Sequence, residues 1–73
     1  MTPLPSLRPQ EVIAILIHIG YEIDHHTGSH AILYKAGKVP ISVPVHPRDL
    51  KKGTLHQIIR NTGLSIDEFL RYR

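Results

Sequence analysis

The sequence predicts an α+β domain of order α-β-β-β-α-α: a three-stranded antiparallel sheet with its helices packed on one face. Three observations carry that expectation. An almost wholly apolar helical segment, EVIAILIHIG, precedes the strands. Runs with a period of two then follow, joined by turns built on Gly28-Ser29 and Ala36-Gly37-Lys38. Such turns are too short for crossover helices, so neighbouring strands must be antiparallel. After HPRDLKKG the apolar period becomes that of a helix again.

Residues 1–8 hold Pro3 and Pro5 and show no periodicity. They read as an extended, flexible tail, with 9–73 as a single domain. Pro9 suits a first helical turn, and Gly20 a helix stop, so the first helix is expected over 9–19. Glu11 and His18 lie seven apart and share a face with Ala14 and Ile15 between them. Val12, Ile13, Leu16, Ile17 and Ile19 make the opposite stripe, the expected core side. Ile15 is left outside it, either covered by a second body or standing as a single exposed apolar residue.

YEIDH alternates Tyr21 and Ile23 against Glu22 and Asp24, the pattern of a half-buried strand. HTGSH is a turn and HAILYK the second strand. KVPISVPV is the third, with Val39, Ile41, Val43 and Val45 on one face and Pro40, Ser42 and Pro44 on the other. Two prolines confine it to a sheet edge, where the order 1-2-3 places it. TLHQIIRNTG predicts a second helix with Leu55, Ile58 and Ile59 inward, Thr54 or Gly53 near its cap and Gly63 as its stop. SIDEFLRYR opens with Ser65 and Glu68 at capping-box spacing and turns Ile66, Phe69 and Leu70 inward.

A chain of 73 residues has a small core, and with no cysteine it has no disulfide to reinforce it. Its longest apolar run is too short to cross a bilayer and no leader pattern precedes it, so a cytoplasmic protein with no membrane partner is expected. A net charge of +3 favours a polyanionic partner without establishing one. The oligomeric state stays open.

His25, His26, His30 and His46 raise the question of a metal. No zinc spacing is present, and adjacent strand residues point to opposite faces, so neither metal nor cofactor is expected. Lys51 and Lys52 stand at the N-terminal end of the second helix, a poor place for cations unless a phosphate supplies the missing negative charge. Lys35, Lys38, Arg48 and Arg60 can extend that surface; the alternative is a merely solvated loop. His30 follows Gly28-Ser29, a turn with free N–H groups and a hydroxyl able to hold a phosphate oxygen. A histidine there can take a proton from a ribose 2′-OH at neutral pH, though a loop histidine is more often inert.

IGYE after the first helix, then GSHAILY, ISVPVHP, and LKKGTLHQIIRNTGLS with EF beyond, occur in one order and spacing. Over about residues 9–70 the chain thereby resembles the HicA family of small RNA-cleaving toxins. The resemblance implies a fold like the double-stranded-RNA-binding domain and a metal-independent endoribonuclease acting on mRNA. It implies His30 as the catalytic histidine and Lys51 and Lys52 on backbone phosphates; Gly28, Ser29, Lys35 and Lys38 are the further RNA contacts expected from the residues themselves. It implies a HicB-type antitoxin that covers the active surface, for which Ile15, His18 and His30 are the expected contacts. The alternatives are a non-catalytic RNA-binding module of the same fold and a protein-interaction domain using helix one. Two departures stand out. Ala31 follows the GSH motif where many members have a second histidine or another polar residue, and helix one has no lysine. His25 and His26 are then alternative candidates for a second proton carrier.

Overall fold

Six elements follow one another as α1 (Pro9–Ile19), β1 (Glu22–Thr27), β2 (His30–Tyr34), β3 (Ile41–Pro44), α2 (Lys52–Thr62) and α3 (Ile66–Arg71). The computed structural model describes residues 3–73. The sheet is antiparallel in the order β1-β2-β3, as expected. Ala31 and Leu33 of β2 and Ile41 and Val43 of β3 are buried on one face. Val12, Ile15 and Leu16 of α1, Leu55, Ile58 and Ile59 of α2 and Phe69 of α3 close over that face as a single core. This is the layout of a double-stranded-RNA-binding domain.

The edge prolines have a positional reason. Val45 N–H donates to the Ser29 carbonyl (2.6 Å), so odd-numbered residues of this strand turn their N–H groups toward β2. Pro40, Ser42 and Pro44 then face the open edge, and only Ser42 has an N–H to offer there. An edge so blunted resists pairing with another strand.

Several expectations need correction. Ile15 is not on an outer face: it is 2% exposed, while Ile17, assigned to the core, is 46% exposed. The residues that follow α3 lie along the Glu11–His18 flank on which Ile15 sits. His18 Nδ1–H donates to the Tyr72 carbonyl (2.8 Å), and Arg73 reaches Glu11 (3.9 Å), so the C-terminus lies along that flank of α1. A helix apolar nearly all round cannot fix its own rotation; contacts far along the chain must fix it. Segment 1–8 is also not wholly loose. Leu4 and Leu7 are buried in the core, and Leu50 N–H donates to the Leu7 carbonyl (2.8 Å); residues 1 and 2 of the expected tail lie outside the described residues. β1 is exposed along its whole length, Ile23 included, because the helices do not reach over it; only Tyr21, just before it, is buried. Val39 and Val45 are exposed, since β3 spans only four residues under the helices. Finally, α2 starts earlier than Thr54. Lys51 is its N-cap, and Leu55 N–H already bonds the Lys51 carbonyl (3.0 Å). Buried Leu50, tied to Leu7, sets that start in place of a capping side chain.

Candidate active site

Gly28 and Ser29 form a two-residue turn between β1 and β2, closed by the pair Thr27 and His30. Gly28 has φ of 42°, and among the described residues no non-glycine has positive φ. A turn with positive φ at its first central residue only is the type II′ hairpin pattern, which explains glycine there. Nothing lies within 4 Å of where a Gly28 Cβ would be, so the turn is open to an approaching ligand. The Val45 bond to Ser29 anchors its other side.

His30 is half-buried at the first position of β2. Its Nδ1 lies 3.3 Å from Ser29 Oγ. Ala31 and Leu33 face the core, so His30, Ile32 and Tyr34 face the opposite, helix-free side. Ala31, the departure that follows the GSH motif, turns its side chain to the core. Register places Thr27 and His25 of β1 beside His30 and Ile32 on the helix-free side, and His26 opposite Ala31 on the other. Asp24 and His25 are in contact there: His25 Nδ1–H donates to Asp24 Oδ2 (2.7 Å). His46, just after β3, accepts the Arg48 N–H at Nδ1 (3.2 Å). Among the described residues, no three His, Cys, Asp or Glu side chains gather as metal ligands would.

The expected RNA contacts divide between two ends of the sheet. Lys35 and Lys38 follow β2 at the end away from His30, and both meet the fold itself. Lys35 Nζ donates to the Ile19 carbonyl at the end of α1 (3.0 Å) and stands 5.8 Å from the centre of the Tyr21 ring. Lys38 Nζ lies 3.1 Å from where a Gly63 Cβ would be, at the end of α2. Helix C-termini carry partial negative charge, so both lysines answer it.

The helix N-termini point the other way. With its C-terminus at Lys38, α2 starts about 16 Å back, toward the end of the sheet where β3 leaves beside His30. The Leu7–Leu50 bond and the Arg8–Asp49 contact (3.9 Å) set the start of α1 alongside. In α1, Glu11 Oε1 accepts the Arg8 N–H (2.9 Å) and supplies a negative charge. α2 has no acidic residue in its first turn and no side-chain cap; exposed Lys51 and Lys52 stand there instead. Between α2 and the open edge of β3 runs a groove of about 490 Å³, lined by Ser42, Gly53, Thr54, Gln57 and Asn61 among others. The positive helix end and its two lysines together fit a polyanion.

Of the three residues expected to meet an antitoxin, only His30 lies on this surface. Ile15 is buried, and His18 is tied to Tyr72.

Compared with known proteins, residues 9–64 match the family model described as the HicA toxin of bacterial toxin–antitoxin systems. No curated protein matches the chain.

Proposed function

The chain belongs to the HicA toxin family, and on that premise we propose that it is an endoribonuclease that cleaves mRNA in the cytoplasm through His30, without a metal, and is silenced by a HicB-type antitoxin. As a member of that family it is the toxin of a toxin–antitoxin system and has an antitoxin as partner. The observation that carries the nuclease reading is the pairing of an open Gly28-Ser29 turn beside His30 with an α2 N-terminus that carries Lys51 and Lys52 and has no acid in its first turn. Strand cleavage needs a base near the 2′-OH and cations for the phosphate, and these two features lie toward one end of the sheet.

In this mechanism Lys51, Lys52 and the first N–H groups of α2 hold backbone phosphates, largely without regard to base sequence. The Gly28-Ser29 turn admits the scissile phosphate, and His30 takes the proton from the adjacent 2′-OH. Attack of that oxygen on phosphorus gives a 2′,3′-cyclic phosphate and a free 5′-hydroxyl. Lys35 and Lys38 serve the fold, and the antitoxin covers the turn around His30.

The test is incubation of purified protein with mixed cellular RNA in EDTA, beside His30→Ala. Cleavage by the native protein alone, with cyclic phosphate ends, is the expected result. RNA bound but left intact by both proteins would instead make the chain a binding module.

A further inference from the structure

Cleavage of this kind needs a second proton carrier, because the departing 5′-oxygen must be protonated as the 2′-oxygen attacks. Resting on the ribonuclease reading above, we propose that His25 is that general acid, and that Asp24 is the positioning residue that holds it.

The sheet register makes the case. β1 and β2 pair regularly except between Ile23 and His25, where Asp24 is an extra residue, a β-bulge. In a regular strand, neighbouring side chains point to opposite faces and cannot bond each other. A bulge sets two successive residues opposite one and re-aims their side chains. Here it brings Asp24 Oδ2 to 2.7 Å from His25 Nδ1. It also shifts the phase of the rest of β1. In an unbulged register Asp24 would pair with Ile32 and His25 with Ala31 on the helix side; with Asp24 bulged out, His25 pairs with Ile32 on the side of His30. His25 and His30 are then diagonal neighbours across the strands, about 7–8 Å apart at the backbone and within reach of long side chains.

Asp24 engages Nδ1 of His25 and so leaves Nε2 as the atom turned outward, as a carboxylate orients an imidazole in hydrolytic enzymes. His25 is 52% exposed, so a phosphodiester can reach it. The adjacent histidine faces away: His26 lies opposite Ala31 on the helix side.

The step balances. His30 Nε2 accepts the proton of the 2′-OH as the bond from O2′ to phosphorus forms. The bond from phosphorus to O5′ breaks, and protonated His25 gives its Nε2 proton to O5′. The two histidines end with exchanged protonation, and water resets them. Nothing is oxidised or reduced.

A bridging 5′-sulfur tests this directly, since a thiolate leaves without a proton. The substrate is an RNA oligonucleotide holding a site that the native protein cuts, made with oxygen or sulfur at the 5′ bridging position. The full-length His25→Ala protein is expected to cut the oxygen substrate about 100-fold or more slowly, and the sulfur substrate within a few-fold of native. Asp24→Asn should show a smaller loss with the same rescue, and His30→Ala should cut neither. Native-like cutting of the oxygen substrate by His25→Ala overturns the assignment, as does an equal loss on both substrates. If the native protein cuts no RNA, the ribonuclease reading fails first and takes this assignment with it; if it cuts and His25→Ala matches it, only the assignment fails.

Discussion

The two ends of β2 carry similar residues and use them in opposite ways. At one end, Lys35 and Lys38 stand against the C-termini of α1 and α2, where each positive charge meets a negative helix end. At the other, Lys51 and Lys52 stand on a positive helix end with no acid in the first turn, and His25 and His30 face an open side of the sheet. One end satisfies its charges within the chain. The other leaves positive charge for a ligand to answer. Residue type alone does not separate a structural lysine from a binding one; the helix terminus beside it does.

The strongest way to break this comparison lies in the core beneath it. Ile15→Ala should cost about 2–4 kcal/mol in urea unfolding, and Ile17→Ala less than about 1 kcal/mol. The reverse order would mean that α1 is rotated about its axis. Next come the lysines. Lys35→Ala should cost about 1–2 kcal/mol by losing a charged hydrogen bond to the end of α1, with no change in the salt dependence of RNA binding. Replacing both Lys51 and Lys52 by alanine should leave stability nearly unchanged. It should lower the slope of log K against log salt by about 1.4–1.8, the signature of two lost phosphate contacts.

Two smaller effects sharpen the fold side. The Tyr21 hydroxyl is buried without a hydrogen-bond partner, and burial raises its pKa above the ordinary 10.0. Tyr21→Phe should therefore raise stability by up to about 1 kcal/mol at neutral pH. The sign in alkali follows: a folded-state pKa above the unfolded one means stability lost as pH rises through and beyond about 10, and the phenylalanine variant should lose less of it. Glu68 shows the opposite case. The Ser65 backbone N–H and then its hydroxyl hold this carboxylate below its ordinary 4.5. Its contribution is present above that value and fades as pH falls through the lowered one, so Glu68→Gln should flatten the acid limb of a stability–pH curve below about pH 4.5.

What the sequence made legible was local. Pro9 and Gly20 bound α1 at the residues observed, and Ser65 and Glu68 form the capping box their spacing predicts, because caps and stops act within one helical turn. The strand order followed from short turns and two prolines. What stayed hidden depends on contacts far along the chain. The rotation of α1 waits on the elements that follow it, the burial of Leu4 and Leu7 on Leu50, and the exposure of β1 on how far the helices reach. The site divides in the same manner. Gly28, Ser29 and His30 are readable as a turn beside a histidine. The face on which His25 lies is not, since a single extra residue in the pairing reverses it, and alternation read from YEIDH gives no sign of the bulge. The bond from Lys35 to the Ile19 carbonyl is not readable either, because the two are 16 residues apart in sequence.

The measurement that tests the central claim most directly compares His30→Ala with Lys35→Ala in two assays, cleavage of RNA in EDTA and the midpoint of urea unfolding. The expected result is a crossed pair: His30→Ala unfolds at the native midpoint and does not cut, while Lys35→Ala unfolds earlier and, where it is still folded, cuts at the native rate. Native-rate cleavage by His30→Ala, or loss of cleavage in Lys35→Ala with an unchanged midpoint, would contradict the division of labour between the two ends of the sheet.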